Sequence, residues 1–325
     1  MSDSQSTAKT SWLRHVLTAF GPLVGLVAVG VLFSALRYET FATRDNFAII
    51  LQQTTVIGVA ALGMTIVIVA GGIDLSVGSI IALVTVVIAL LLKHGAPPLL
   101  AALGGVGVAA LCGAISGLLI TRLRLLPFVV TLGMMGALRG TAKFVANEQP
   151  IYPDETWLNR LMQLGTRGSL SGGVWLMLVL AVLVALAMRY TRFGRHVFAL
   201  GSNELTARLC GVPVERVKLA VYALGAAFAG VAAVLQFAYI TGGDPTTAAG
   251  LELNIIAAVV IGGASLTGGQ GTVTGTLVGA LIMSVVANGC TKLGLSNSVQ
   301  EIVTGGIIVA ATILDRLRQR ASSQV

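Results

Sequence analysis

Ser265, Thr267, Gln270, Thr272 and Thr274 gather around Gly268, Gly269 and Gly271 in a chain that is otherwise apolar. Hydroxyls and amides without charge suit a neutral polar solute, which needs hydrogen-bond partners and no fixed charge. Unwound backbone adds free carbonyls, tolerated at membrane depth only where it lines a cavity. The same residues also read as a polar turn between two helices. A similar device lies at 66–83, IVIVAGGIDLSVGSIIAL, where an apolar run stops at Gly71–Gly72 and Asp74 and Ser76 precede the next. Asp74 is the only acid between 47 and 92. A carboxylate at that depth is costly and functional as a rule. It reads as a hinge near an inner gate or as the cap of a helix starting at Leu75, with Ser76 as the alternative cap. Gln52 and Gln53 open another apolar run with Thr54 and Thr55, and amides there serve either a solute or a neighbouring helix. Arg139 and Lys143, four apart, read as side chains snorkelling toward the outer headgroups, or as lining of an outer vestibule.

Enzymatic chemistry finds no footing. His15, His94 and His196 sit in loops or at the ends of apolar runs, and none has a partner at metal-ligand spacing. No H-E-x-x-H, G-x-S-x-G or paired-carboxylate pattern occurs. The run from Gly262 and Gly263 to Gly271 is no phosphate loop, since it lacks G-x-x-x-x-G-K-[ST] and a preceding strand. Cys112, Cys210 and Cys290 have neither metal nor disulfide spacing. The expectation is a chain without catalytic residues, metal or cofactor.

The elements that must position these groups are apolar helices. The chain has 325 residues, is 55% hydrophobic and only 10% charged. A membrane span takes ~20 apolar residues, and ten runs qualify: about 17–36, 48–70, 75–92, 97–120, 125–145, 174–189, 217–239, 252–266, 272–289 and 298–314. The eighth is short and reads as partly re-entrant. Forty glycines suit closely packed spans; Gly113-xxx-Gly117 and Gly275-xxx-Gly279 read as packing faces. The net charge of +8 needs no nucleic acid, because the basic residues fall between the runs. With the N-terminus inside, thirteen Lys and Arg face the cytoplasm and six face outward, which places both termini inside.

The fold expected is an all-α integral membrane protein, a single permease domain over 17–314 with cytoplasmic tails at 1–16 and 315–325. The tail MSDSQSTAKTSWLRH reads as retained, not as a signal peptide. Two Gly-broken devices, one per half, suggest a five-plus-five internal repeat. Five is odd, so equivalent breaks would lie at opposite ends, yet the charge pattern places both on the cytoplasmic side. Two polar segments are long, an outer loop at 146–173 and a cytoplasmic loop at 190–216. Within the latter, SNELTARLCG reads as a short helix capped by Ser202 or Asn203 and ended by Gly211 before Pro213. It suits a groove on a partner, or is a solvated connector.

Four ordered motifs carry a family resemblance: AGGIDLSVGSIIAL (70–83), PFVVTLGMMGALRG (127–140), TRFGRHVFALGSNELTARLCGV (191–212) and AAVVIGGASLTGGQGTVTGTLVGALI (257–282). Together they resemble the ribose-type permeases of bacterial ATP-binding cassette (ABC) importers, over about 45–315. The departures are Thr206 for the usual Ala and Val212 for the common Ile. The resemblance implies a subunit of the bacterial inner membrane that passes a monosaccharide or related polar solute. It implies a second permease copy or paralogue, a cytoplasmic ATPase subunit that carries the ATP and magnesium, and a periplasmic sugar-binding protein. It also implies that Asn203, Glu204, Ala207, Arg208 and Gly211 face the ATPase or shape the helix that does. Two other readings stay open. One is a permease of branched-chain amino acids, for which no deep charge pair suited to a zwitterion is evident. The other is a stand-alone secondary transporter, against which stands the shortage of deep acids, Asp74 and Glu301 lying near span ends.

Overall fold

The structure, a computed structural model, describes residues 21–164 and 170–322, with side chains to residue 313. The expected tail at 1–16 lies outside these residues. The described chain is helical: α1 (Gly21–Leu36), α2 (Tyr38–Phe41), α3 (Arg44–Val69), α4 (Val77–Lys93), α5 (Pro98–Arg122), α6 (Pro127–Val145), α7 (Gly172–Tyr190), α8 (Arg192–Ser202), α9 (Glu204–Leu209), α10 (Val214–Ile240), α11 (Leu251–Ile261), α12 (Val273–Lys292) and α13 (Asn297–Ser322). A 3₁₀ turn at Trp157–Met162 lies between α6 and α7. Among the described residues six helices, α3, α5, α6, α7, α10 and α12, are long and apolar enough to cross a membrane, and α1, α4, α11 and the apolar part of α13 are shorter apolar helices.

Local sequence explains the starts. Pro98 and Pro127 stand at the first positions of α5 and α6, where their missing N–H costs nothing. Thr43 caps α3 by accepting from the Asn46 N–H at 3.2 Å. α3 forms the centre of the bundle, with most of its length buried. α5 lies along α10 through small residues: a methyl group added at Gly113 would strike the Tyr222 carbonyl and Ala226, and one at Gly117 would meet Leu219. The Gly275 and Gly279 face meets Gly262 and Ala258 in the same way. Both glycine pairs are packing faces.

The eighth apolar run is short, as expected. Its helix, α11, has 11 residues, about 16 Å at 1.5 Å per residue. The chain instead returns unwound from the end of α10, antiparallel to α4. Gly243 lies against Thr85 and Ala89, and Ala248 against Gly78. Non-helical backbone inside a bundle needs its polar groups satisfied. Arg139 does this, its Nη1 donating to the carbonyls of Pro245 (3.1 Å) and Thr247 (2.6 Å). The Ile151–Gly243 bridge (2.8 and 2.9 Å) and the Asp244 N–H to Thr85 Oγ1 (3.4 Å) add to it. The snorkelling expected of Arg139 is therefore incorrect; it turns into the protein, while Lys143 is exposed.

Candidate functional site

The two glycine breaks meet. The Gly269 N–H donates to the Val69 carbonyl, the last of α3, at 2.9 Å. Both breaks thus lie at one end of the bundle, as the charge pattern implied, and are not placed as inversion-related equivalents would be. Between them sits the end of α8. A methyl group at Gly201 would run into the Val69 carbonyl and the Gly269 nitrogen, and one at Gly268 would lie 2.8 Å from both Gly71 Cα and the Gly201 carbonyl. Gly268 (φ +90°) and Gly269 (φ +74°) adopt the left-handed backbone that glycine alone takes freely. Three chain segments therefore touch backbone to backbone. Gly72 packs under the Tyr222 hydroxyl, Gly262 against Gly275, and Gly271 against Val69 and Ala264; Gly263 faces open space.

Most of the polar residues of the breaks are spent internally. Asp74 is 1% exposed, and its Oδ1 accepts from both the N–H and the hydroxyl of Ser76. It does not cap α4, which begins at Val77, two residues later than expected, with Ser76 at the cap position making no side-chain cap bond. Asp74 Oδ2, Ser79 Oγ and Tyr222 Oη are buried without a partner among the described residues. Ser265 and Thr267 share a hydroxyl hydrogen bond of 2.8 Å, and the Ser265 N–H donates to the Gln270 carbonyl at 3.1 Å. Thr272 caps α12 by accepting from the Gly275 N–H at 3.1 Å. It also lines, with Thr274, Thr65 and Arg189, a cavity of about 330 Å³ among α3, α7, α8 and α12. Gln270 is exposed.

The loop at 190–216 holds two helices where one was expected. α8 buries Gly194, Val197 and Leu200, a face three residues apart on an otherwise charged segment. α9 follows at once. Asn203 caps it, accepting from the Thr206 N–H at 2.9 Å, and Gly211 (φ +83°) ends it, its N–H returning to Arg208 and that of Val212 to Ala207. Glu204 bonds Lys218 at 2.7 Å, Arg208 bonds Glu215 at 2.6 Å, and Ala207 is buried. Those residues tie α9 to α10. The free face belongs to Leu205 and Leu209, 74% and 88% exposed and one turn apart. Sequence reasoning passed over them, although two leucines spaced four apart in a polar loop were the available signal.

At the opposite end of the bundle, α3, α10 and α11 enclose a cavity of about 300 Å³ lined by Gln53, Gln236, Tyr239 and Asn254 among apolar neighbours. Gln52 is buried beside it and donates to the Met162 carbonyl. The two adjacent glutamines are thus separated: one faces protein, the other the cavity. Among the described residues no cluster of three or more His, Cys, Asp or Glu is placed to hold a metal.

The family of branched-chain amino acid transport system permease components matches residues 46–312. The chain is 36% identical over 244 residues to the ribose import permease protein RbsC of Escherichia coli K12, covering 74% of this chain and 76% of that one. To RbsC of Bacillus subtilis 168 it is 37% identical over 263 residues, 80% of each. To the fructose import permease protein FrcC of Rhizobium meliloti it is 33% identical over 269 residues, 80% of this chain and 75% of the other. No solved structure matches it. Match length and identity together make this chain a member of the branched-chain amino acid transport permease family, within its ribose-type branch.

Proposed function

We propose that this chain is the membrane-spanning permease subunit of an ABC importer for a monosaccharide: a ribose-like pentose, a hexose or a related small polar solute. The observation that carries the reading is the match, along three quarters of the chain, to permeases named for ribose and fructose import. The protein is a transport subunit without enzymatic activity of its own. ATP and magnesium are held by a separate cytoplasmic ATPase, and a periplasmic binding protein delivers the solute. A second copy completes the membrane unit. The ten apolar helices, α11 together with the unwound segment 241–250 before it, mark ten spans of one domain over 17–314 in the bacterial inner membrane, with both termini and the α8–α9 segment cytoplasmic. The α3–α4 and α11–α12 devices belong to the two halves of a five-plus-five arrangement.

In this reading α9 presses Leu205 and Leu209 into the ATPase. Its displacement reaches both breaks through Gly201, because Gly201 abuts Val69 and Gly269 directly. Glu204, Arg208, Asn203, Ala207 and Gly211 hold α9 in shape. Gln53, Gln270 and Thr272 reach open space and line the path, whereas Gln52, Asp74, Ser76, Ser265 and Thr267 frame it.

The test is uptake by vesicles containing the permease, its ATPase and its binding protein. ATP-dependent entry of D-ribose, D-fructose or L-arabinose is expected. Uptake by the chain alone on an ion gradient would sink the importer reading in favour of a secondary transporter. ATP-dependent uptake of leucine instead would favour a branched-chain amino acid permease, the reading kept alive by the name of the family.

A further inference from the structure

The polar residues at the start of α3 are unequal. Gln52 donates to Met162, the Thr54 hydroxyl to the Ile50 carbonyl at 2.7 Å, and the Thr55 hydroxyl to the Gln52 carbonyl at 2.6 Å. Only Gln53 of the four has no hydrogen-bond partner among the described residues, and it faces the cavity of about 300 Å³ between α3, α10 and α11. Asn254, on the facing side of α11, and the Tyr239 hydroxyl are in the same condition. Gln53 and Asn254 are half-buried and Tyr239 is 45% exposed, so their polar groups open onto the cavity and do not pair with neighbouring helices. Two free amides and a phenol converging on one cavity mark hydrogen-bonding capacity reserved for something that enters it.

The walls are fixed while these groups are free. Gln52 pins the 3₁₀ turn at Met162, Gln236 Nε2 donates to Thr247 Oγ1 at 2.9 Å, and Arg139 holds the carbonyls of Pro245 and Thr247. No charged side chain lines the cavity. Glu252, in the first turn of α11, turns away and lies against Gly78. The volume sits at the lower end of the ~300–1,000 Å³ of small-molecule sites. Apolar walls from Val56, Ile57 and Leu251 suit the C–H faces of a sugar ring, and the amides suit its hydroxyls. The carboxylate and ammonium of an amino acid would find no counter-charge.

We infer that the cavity between α3, α10 and α11 is a binding chamber for a neutral polyhydroxyl solute on its way through the permease, with Gln53 and Asn254 as its hydrogen-bonding residues. The inference rests on the importer reading and gives that reading a place for the solute at the end remote from α9.

The experiment uses the whole importer, with ATPase and binding protein, in vesicles, and D-ribose, D-fructose and L-arabinose as probes. Gln53→Leu and Asn254→Leu keep side-chain bulk and remove the hydrogen bonds. Each is expected to lower the uptake rate about fivefold at unchanged abundance in the membrane, the worth of one hydrogen bond of ~1 kcal/mol. A second readout does not depend on transport. Asn254→Cys in a Cys210→Ser, Cys290→Ala background is expected to react with a membrane-impermeant thiosulfonate from the side opposite the ATPase, at least threefold more slowly in a saturating concentration of the transported sugar. Wild-type rates in both leucine variants, together with labelling indifferent to sugar, would overturn the chamber while leaving an active importer in place. Absence of ATP-dependent uptake of all three sugars by the wild type would overturn the importer reading itself, and the chamber with it.

Discussion

The two ends of the bundle spend their polar groups in opposite ways. At the α8–α9 end, glycines bring three backbones into contact and the hydroxyls of Ser265 and Thr267 bond to each other. At the other end a cavity of about 300 Å³ stays open, and the Gln53 and Asn254 amides have no hydrogen-bond partner among the described residues. In the proposed reading one end transmits displacement, because backbone contacts have no slack for side chains to absorb. In the same reading the other receives the solute. The contrast predicts that bulk is what breaks the first end and lost hydrogen bonding what breaks the second.

The largest effect is expected at Gly201. Valine there meets the Val69 carbonyl and the Gly269 nitrogen, both backbone, so no rotamer relieves the clash. Overpacking of this kind costs ~3 kcal/mol or more, and Gly201→Val is expected to leave little permease in the membrane. Gly263→Val is the control: its φ of +91° is unfavourable for valine, but nothing lies within 4 Å. Torsion alone costs ~1–2 kcal/mol. Membrane abundance and thermal melting in detergent rank the two, and equal loss would remove the steric account of the junction.

Leu205→Glu and Leu209→Glu come next. Both side chains are exposed, so the permease itself is expected to melt as the wild type does. Loss of a central apolar anchor costs ~2 kcal/mol or more of binding, which is about thirtyfold in affinity for the ATPase. Arg208→Glu, which sets a third acid beside Glu204 and Glu215, is expected to weaken assembly less, because its ion pairs lie in water. Titration of the detergent-solubilised permease with ATPase measures all three. Unchanged affinity in the leucine variants would make α9 a connector.

Much of this was legible in the residues. Long apolar runs and punctuating glycines located most of the helices to within a few residues, and Gly211, with Ser202 or Asn203 as the cap, framed α9 in advance. The failures share a cause: contacts between distant segments decided them. TGGDPTTAAG (241–250) only separates two apolar runs in the sequence, and nothing local reveals that it descends along α4 with Arg139 holding its carbonyls. α8 was missed because only Gly194, Val197 and Leu200 are buried, too sparse a face to stand out among arginines. Gln52 and Gln53 were indistinguishable, since neighbours in a helix point about 100° apart and only the surrounding helices say which faces protein.

That pair yields a sharper comparison. Gln52→Leu leaves the Met162 carbonyl without its donor inside the protein, a loss of ~1–3 kcal/mol. Gln53→Leu leaves no orphan and is expected to melt within experimental error of the wild type while uptake falls. If the two variants exchanged behaviour, with Gln53→Leu unstable and Gln52→Leu merely slow in transport, the assignment of free and spent amides would be reversed.

The smallest effects are expected at Ser265→Ala and Thr267→Ala. Their hydroxyls sit at the junction, bonded to each other at 2.8 Å, with the Thr267 N–H also reaching Ser265 Oγ at 3.3 Å. Removing either leaves a turn still held by the Ser265 N–H to Gln270 carbonyl, the Gly268 N–H to Ser265 carbonyl and the Gly269 N–H to Val69 carbonyl bonds. Thr267→Ala loses one side-chain hydrogen bond, worth ~1 kcal/mol or less, and Ser265→Ala loses at least two, the second a long one at 3.3 Å. Uptake per permease is expected to stay within about twofold of the wild type, since two hydroxyls already paired offer a passing sugar little that the ATPase cycle would not have to break first. Uptake normalised to membrane abundance decides the point. A fall of tenfold in either variant at normal abundance would mean that the junction touches the solute as well as transmitting motion, and the division of labour between the two ends would fail.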